Sequence, residues 1–305
     1  MVGTKPKVAV IGDINLDIIA FHRDLPSLGG ESIAEKTYLT PGGSAANVAY
    51  ALTLLGVETL LISCVGEDAV GSILVERLRE VGVDTTLIQR TSSEPTGVTY
   101  VAVVEGERTM LACRGANKYL DYSKIDETSL TEVNLVHVSG YSLTEGRQRE
   151  TTEELLENLK NKDYVTITLD LCRPIAEFNK QEIGKTLTGF DYVFMNMNEF
   201  SILKKNLGLV SVNQFAQELG CTVILKKGRM GCEIATPTGY AVDIPSFESS
   251  SVDSTGAGDA FAAGFIYELL RGSSLRKCGE TANKLGALAA SVIGGSIPNN
   301  VKSIL

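Results

Sequence analysis

The most informative stretch of this chain is D-S-T-G-A-G-D at positions 253–259, which precedes the apolar run A-F-A-A-G-F-I-Y-E-L-L. The run has a helical pattern, so its preceding glycines lie where a loop becomes a helix. The first N–H groups of a helix have no partner within it, and they carry the positive end of the helix dipole. Gly256 and Gly258 lack a Cβ atom, so an anion can approach this backbone closely. The stretch predicts an anion hole formed by the N–H groups of Gly256, Ala257 and Gly258.

A carboxylate follows the predicted anion hole directly. Asp259 would repel a phosphate that stays bound there, but it suits a phosphoryl group in transfer, because it can accept the proton of the attacking hydroxyl. Alternatively, Asp259 only complements the helix dipole, which contributes about 0.3–1 kcal/mol. The neighbouring glycines favour the catalytic interpretation.

Two other glycine-rich phosphate motifs are excluded. A dinucleotide fingerprint G-x-G-x-x-G that begins at Gly256 needs glycine at position 261, which is Phe261. A Walker A loop needs lysine after its second glycine, but Ser72 follows Gly71. The chemistry therefore differs from that of dinucleotide-binding proteins and P-loop enzymes.

Outward from this stretch, short apolar runs alternate with longer amphipathic segments. We expect helices at residues 44–56, 68–81, 151–161 and 212–219, and strands at residues 7–12, 59–65, 135–139, 165–170, 192–195 and 222–226. Such alternation predicts an α/β fold with a mostly parallel sheet and helices on both faces.

Two segments, at about residues 14–42 and 95–114, interrupt the alternation with strand-like sequence. The second predicts a hairpin that turns at E-G-E, residues 105–107. We expect a small β-sheet lid on one domain that spans residues 1–305.

Composition excludes several classes of protein. A net charge of −9 over 305 residues argues against nucleic acid or an anionic membrane as the main partner. The six cysteines have no metal-binding spacing. We find no signal peptide and no membrane-spanning run, and we expect a cytoplasmic protein.

Four further motifs complete a family pattern. They are P-G-G-S-A-A-N at residues 41–47, the pair Asn15 and Asp17, N-M-N-E at residues 196–199, and K-G-R-M-G at residues 227–231. Together with residues 253–259 they follow one another along the chain in the family order, and they resemble the motifs of ribokinase-like (PfkB-type) carbohydrate kinases over nearly the whole chain.

The resemblance implies a three-layer αβα domain that transfers the γ-phosphoryl group of ATP to a sugar hydroxyl. It also implies Mg²⁺ near Glu199, a monovalent cation such as K⁺ at carbonyls of Asp253 and Thr255 with a loop near residues 294–296, and a homodimer joined through the lids. The implied sugar-binding residues are Asn15, Asp17, Gly42, Gly43 and Asn47, and the implied nucleotide-binding residues are Asn196, Lys227, Gly228, Gly231 and Asn283.

These residues also have simpler interpretations. Gly42 and Gly43 let a substrate approach the backbone, and the Asn47 amide suits a diol, but the same residues fit a tight turn and a helix start. Asn196 and Glu199 suit Mg²⁺, which prefers oxygen ligands, but they equally suit a helix cap.

The identity of the acceptor stays open. A neutral sugar such as ribose suits the carboxylate and amide groups. A sugar acid such as 2-keto-3-deoxygluconate would use Arg108, Arg114 and Arg173, and a nucleoside would use Tyr100 or Phe21 as an aromatic platform. A non-catalytic sugar-binding relative is the alternative from another class, and a dehydrogenase lacks its fingerprint.

Overall fold

The structure is a computed structural model that describes residues 6–160, 162, 164–247, 253–292, 294, 297, 298 and 301. Over these residues the strands are β1 (Lys7–Ile11), β2 (Asn15–Phe21), β3 (Lys36–Gly42), β4 (Glu58–Gly66), β5 (Ile88–Thr91), β6 (Gly97–Val104), β7 (Glu107–Cys113), β8 (Val133–Ser139), β9 (Thr166–Asp170), β10 (Tyr192–Asn196), β11 (Thr222–Lys226), β12 (Cys232–Ala235) and β13 (Ala241–Ile244).

The main sheet has the order β13-β12-β11-β10-β9-β8-β1-β4-β5. Its strands from β11 to β5 are parallel, and β12 and β13 extend it as antiparallel edge strands. The strands β1 and β4 are almost entirely buried because both faces of a parallel sheet are covered.

The described helices are α1 (Ser44–Leu54), α2 (Ala69–Glu80), α3 (Gly146–Lys160), α4 (Arg173–Ala176), α5 (Lys180–Leu187), α6 (Met197–Leu207), α7 (Val212–Leu219), α8 (Ala257–Leu270) and α9 (Leu275–Ala289). Alternate residues of β1 enter different core clusters. Ala9 and Ile11 pack with residues of α3 and α7, while Val8 and Val10 pack with residues of α1 and α8. Helices therefore cover both faces, which confirms the predicted three-layer α/β architecture.

A second sheet has the order β3-β2-β6-β7 and contains both predicted lid segments. The strands β6 and β7 form the predicted hairpin. Its turn has positive φ at Glu105 (51°) and Gly106 (85°), the backbone of a type I′ turn. Ile19 and Val101 are the buried centre of this sheet.

The parallel arrangement brings polar and charged residues together at one edge of the main sheet. Asp170, Asn196 and Lys226 are the last residues of β9, β10 and β11. The carboxyl ends of parallel strands meet at one edge, where ligands of open α/β sheets bind. No helix in the part of the chain that the structure describes is long and apolar enough to cross a membrane.

Candidate active site

Asp259 is fixed between the first turns of two helices. It is the third residue of α8, and its two carboxylate oxygens accept hydrogen bonds from the Ser44 hydroxyl and the Asn47 amide, each at 2.8 Å. Burial is the main cause that raises the pKa of Asp259 to about 6. The charge of Asp170 also raises this pKa, while the bonds from Asn47 and Ser44 and the charge of Lys226 lower it. At neutral pH the carboxylate is therefore ionised and oriented.

The backbone beside Asp259 has the conformation that the glycines predict. Gly256 caps α8 with φ 67°, a left-handed value that favours glycine. The N–H of Ala257 donates to the carbonyl of Ser254 over a long 3.3 Å. A Cβ atom at position 258 would lie 3.2 Å from the Lys226 ammonium, so glycine leaves room between that cation and the start of the helix.

A cavity of about 730 Å³ opens directly beside this helix start. Its walls bring together residues that are far apart in sequence: Arg108, Lys226, Gly228, Gly231, Ser254, Ala257, Gly258 and Asn283. A volume of this size accepts a drug-sized or nucleotide-sized ligand. Gly228, Gly231 and Asn283 were predicted for the nucleotide, and all three line this cavity.

The cavity wall around Gly231 leaves no room for a side chain. Gly231 has φ 88°, and a Cβ atom there would lie 2.0 Å from the carbonyl oxygen of Ile244. The Asn283 amide donates to the carbonyls of Ile244 and Pro245, at 3.3 and 2.9 Å. Lys227, also predicted for the nucleotide, directs its ammonium to Asp243 at 2.5 Å.

Asp17 lies on the lid and packs against the end of β3. A Cβ atom at Gly42 would lie 2.2 Å from the Asp17 carboxylate, so only glycine fits there. One carboxylate oxygen of Asp17 is buried and has no hydrogen-bond partner among the described residues. Burial, together with the charges of Asp259 and Asp253, raises the pKa of Asp17 to about 7, although a hydrogen bond with Thr99 lowers it. A buried acceptor without a partner is suited to a substrate hydroxyl.

An asparagine that sequence reasoning missed organises the neighbouring loop. Asn117 donates to the side-chain oxygen of Asn15 at 2.9 Å and accepts the N–H of Ile14 at 2.9 Å. Gly43 has φ 94° and lies against the carbonyl of Asp13, where a Cβ atom would be 2.3 Å away. The Asn15 amide therefore has a structural partner beside its predicted role. Asn117 is one polar residue in a short 3₁₀ turn, so the sequence around it carries no signal of this role.

Arg108 links the lid to the start of the anion-hole loop. Its guanidinium contacts the Asp253 carboxylate at 2.5 Å and the Thr255 hydroxyl at 2.8 Å. Burial opposes the charge of Asp253, but N–H groups of Gly294 and Thr255, together with Arg108, hold its pKa below the usual value. The loop near residues 294–296, predicted to complete the cation site, is described only at Gly294, since residues 295 and 296 lie outside the described residues.

Asn196 and Glu199 form a reciprocal helix cap. The Asn196 side chain accepts the N–H of Glu199 at 2.9 Å, and the Glu199 carboxylate accepts the N–H of Asn196 at 2.7 Å. Burial raises the pKa of Glu199 to about 7, although Lys226 lowers it. The capping interpretation is thus confirmed for both side chains.

No group of three or more potential metal-binding side chains occurs among the described residues. Mg²⁺ usually keeps several waters and binds through one or two carboxylates plus substrate phosphates. Glu199 has a second oxygen beyond the one that caps the helix, so this single carboxylate fits such an ion.

Two of the predicted arginines have other partners. Arg114 is buried against Asp13 at 2.8 Å and also donates to Thr144. The Arg173 side chain is 75% exposed and pairs with Glu177, one helical turn away, at 2.7 Å. The structure shows Arg173 in this surface pair, which is the ordinary arrangement of a charged residue on an exposed turn.

A buried ion pair beneath the anion hole was also missed. The Lys226 ammonium contacts both oxygens of Asp170, at 2.6 and 2.8 Å. The sequence signal for this pair was a charged residue at the carboxyl end of each of two otherwise uncharged strand segments, 165–170 and 222–226. Both side chains are at the edge where the other site residues meet.

Comparison with known proteins agrees with this geometry. The family model for pfkB family carbohydrate kinases matches residues 5–302. An ATP-dependent ribose-1-phosphate kinase from Halopiger xanaduensis is 33% identical over 285 residues, which cover 93% of this chain and 92% of that protein. A ribokinase from Bacillus subtilis is 25% identical, with 98% of this chain and 99% of that protein covered.

A solved structure of a Pyrococcus horikoshii sugar kinase in complex with ATP is similar throughout. Its TM-score is 0.81 at 25% identity, and the match covers 98% of this chain and 96% of that one. Fold and site together define a phosphotransferase with a hydroxyl acceptor. The chain belongs to the pfkB family of carbohydrate kinases, and it is a ribokinase-like sugar kinase.

Proposed function

We propose that the protein transfers the γ-phosphoryl group of ATP to a primary hydroxyl of a neutral, ribose-like sugar. The observation that carries this proposal is the position of Asp259. Its carboxylate is held by Ser44 and Asn47 in the first turn of α1, and the start of its own helix opens into the 730 Å³ cavity. A base in this place lies between an acceptor on the lid side and a donor in the cavity.

In the proposed reaction Asp259 accepts the hydroxyl proton. The sugar oxygen bonds to the γ-phosphorus while the bond from that phosphorus to the β–γ bridging oxygen breaks, which leaves ADP. The proton moves to Asp259 late in this process, because an alcohol is a far weaker acid than a carboxylic acid. The N–H groups of Gly256, Ala257 and Gly258 stabilise the charge on the transferred group. Most of the acceleration comes from positioning and charge stabilisation, as is general for phosphoryl transfer.

The metal requirement is proposed on the same basis. Mg²⁺ bound to the nucleotide would neutralise phosphate charge, and Glu199 is the carboxylate that would hold it. A monovalent cation near Asp253 and Thr255 stays a prediction. The Asp253 carboxylate already accepts from Arg108 and from the N–H groups of Thr255 and Gly294, so backbone carbonyls would have to bind that cation.

The neutral sugar is preferred because the acceptor side is acidic. Asp17 offers an oxygen without a hydrogen-bond partner in the described part of the chain, and it lies near Asp253 and Asp259, so an anionic acceptor would meet like charge. Ribose 1-phosphate is the second candidate, since the Halopiger relative is named for it. A sugar acid is less favoured because Arg114 and Arg173 have other partners.

The register of the lid separates the two aromatic residues considered for a nucleoside acceptor. Asp17 pairs with Thr99, so the two share a face of the sheet. Tyr100 follows Thr99 and therefore points to the opposite face, where its hydroxyl contacts the ring of His22 at 2.5 Å. Phe21, four residues after Asp17 on β2, shares the face of Asp17. Of the two, only Phe21 is therefore placed to serve as a platform for a nucleoside base.

The proposal is tested by ATP consumption in the presence of ribose, ribose 1-phosphate, fructose, 2-keto-3-deoxygluconate and nucleosides. We expect the highest kcat/KM with ribose, and formation of one ADP per sugar phosphate. A clear preference for ribose 1-phosphate would replace the acceptor while keeping the reaction. Equal background rates with every acceptor would overturn the kinase proposal in favour of a sugar-binding protein.

We further propose a cytoplasmic homodimer of single-domain chains joined through the lids. A cross-strand row of Leu39, Ile18, Tyr100 and Leu111 runs over the lid face opposite Asp17. Leu39 is 66% and Leu111 is 67% exposed, so the face has apolar surface to bury. Light scattering should give twice the chain mass, and Leu39→Glu/Leu111→Glu should give the monomer.

A further inference from the structure

We propose that Lys226 is a further catalytic residue, whose ammonium donates a hydrogen bond to the phosphates of the bound nucleotide beside Gly258. Asp170 is the positioning residue that orients this ammonium. The proposal deepens the proposed function, because it rests on ATP as the phosphoryl donor.

The position of Lys226 supports a contact with phosphate. It is the last residue of β11 and lines the 730 Å³ cavity together with Ala257 and Gly258. Its ammonium is 3.2 Å from the place of a Cβ atom at position 258. Because Gly258 lacks a Cβ atom, the Lys226 ammonium lies directly beside the backbone that is predicted to hold the transferred phosphoryl group.

The donor geometry leaves one N–H group for a ligand. A lysine ammonium has three donors. Among the described residues, two hydrogen bonds of Lys226 are recorded, one to each oxygen of Asp170. This bidentate contact fixes the direction of a flexible side chain. The side chain of Lys226 retains 15% exposure and Asp170 only 6%, so the exposed part of the pair is the cation.

The surrounding charge explains why a cation is needed here. Besides Asp170, the carboxylates of Glu199 and Asp259 act electrostatically on Lys226. Phosphates that enter beside Gly258 would be repelled by these carboxylates. The N–H groups at the start of α8 would not compensate for that repulsion alone. Lys226 supplies a full positive charge at the point where nucleotide phosphates and carboxylates approach each other.

A purely structural ion pair is the competing explanation, and a paired substitution separates the two. Lys226→Met alone leaves Asp170 buried without a partner, so its loss of activity would be ambiguous. In Asp170→Leu/Lys226→Met the buried pair is replaced by apolar side chains, which is often neutral or stabilising. If this double variant fails to fold, Asp170→Asn/Lys226→Gln takes its place with the same readouts.

The readouts are kcat and the affinities for a non-hydrolysable ATP analogue and AMP, measured by calorimetry without sugar. We expect the double variant to lose about tenfold or more in affinity for the ATP analogue and in kcat, the scale of a charge-assisted hydrogen bond. AMP, which lacks the outer phosphates, should bind within twofold of the parent protein. The matched control is Lys7→Met, which removes a lysine paired with Glu58 at the start of β1.

Parental affinity for the ATP analogue and parental kcat in the folded double variant would overturn the proposal and leave Lys226 a structural partner. An equal loss of affinity for AMP and for the ATP analogue would also overturn it, because the cavity itself would have changed. The binding arm requires no acceptor. Its outcome is therefore independent of whether the sugar assignment is correct.

Discussion

The two sides of Asp259 are built from opposite kinds of group. The lid side offers Asp17, Asn15 and the amide of Asn47, which are acceptors and neutral donors. The cavity side offers Arg108, Lys226 and the open helix start of α8. In the proposed function, this single carboxylate separates the site for a neutral polyol from the site for a polyanion.

The largest effect is expected from removal of that dividing carboxylate. In Asp259→Asn the side-chain oxygen can still accept from Asn47 and the side-chain N–H can donate to the Ser44 hydroxyl, which can turn to accept. The variant cannot accept the hydroxyl proton of the substrate, so kcat should fall about 10²–10⁴-fold. Steady-state assays with ribose and ATP measure this, and ADP affinity should stay near the parental value. Asp126→Asn, a change at an exposed helix cap, is the matched control. Turnover near the parental rate in Asp259→Asn would show that another group is the base.

A smaller effect should appear when only the lid side is disturbed. Gly42→Ala places a Cβ atom where the Asp17 carboxylate lies, 2.2 Å away, so that carboxylate must move. We expect kcat/KM for the sugar to fall about tenfold to 10²-fold, since misplacement of about 1 Å can have such a cost. The KM for ATP should change little.

Gly184→Ala is the control for this substitution, because a Cβ atom within α5 meets nothing within 4 Å. Equal losses for sugar and ATP in Gly42→Ala would contradict the separation of the two sides.

The smallest effect is expected from Asp17→Asn, which should stabilise the folded protein and weaken sugar binding. Burial raises the pKa of folded Asp17 to about 7 from 3.8, so the native state holds its proton more tightly than the unfolded chain. Stability from this group is therefore present below pH 4 and is lost as the pH rises to 7. Asp17→Asn should stabilise the protein by about 1–2 kcal/mol at pH 8.

Denaturant unfolding at pH 4 and pH 8 measures this difference, and it should vanish at pH 4. The same variant should bind ribose more weakly. If Asp17→Asn is destabilised at pH 8 and unchanged in sugar affinity, Asp17 is a structural residue of the lid.

Sequence patterns predicted most of the elements that are long or strongly apolar, although α9, one of the longest helices, was not predicted. The central strands and the helices at α1, α2 and α7 have clear periodicity, and the hairpin turn was visible in E-G-E. The strands β12 and β13 were missed because each has four residues, and alternation over so short a length carries little signal. The helix α4 was missed for the same reason.

For the site, residues within a motif could be predicted, and pairs between distant segments could not. The glycine stretch and Asp259 share one short segment, so their proximity follows from sequence. The contact of Lys226 with Asp170 joins strands separated by β10, and that of Arg108 with Asp253 joins the lid to α8. Such contacts depend on strand order and lid position, which local sequence does not specify.

The central claim, that Asp259 is the base between the two sides, is tested most directly by the pH dependence of kcat with both substrates saturating. Its pKa is raised to about 6, and the ionised form is active, so kcat should rise with pH below 6 and become constant above it. The inflection should persist in Asp17→Asn, which lacks only the lid carboxylate. A kcat that does not change between pH 5 and pH 7 would contradict the account.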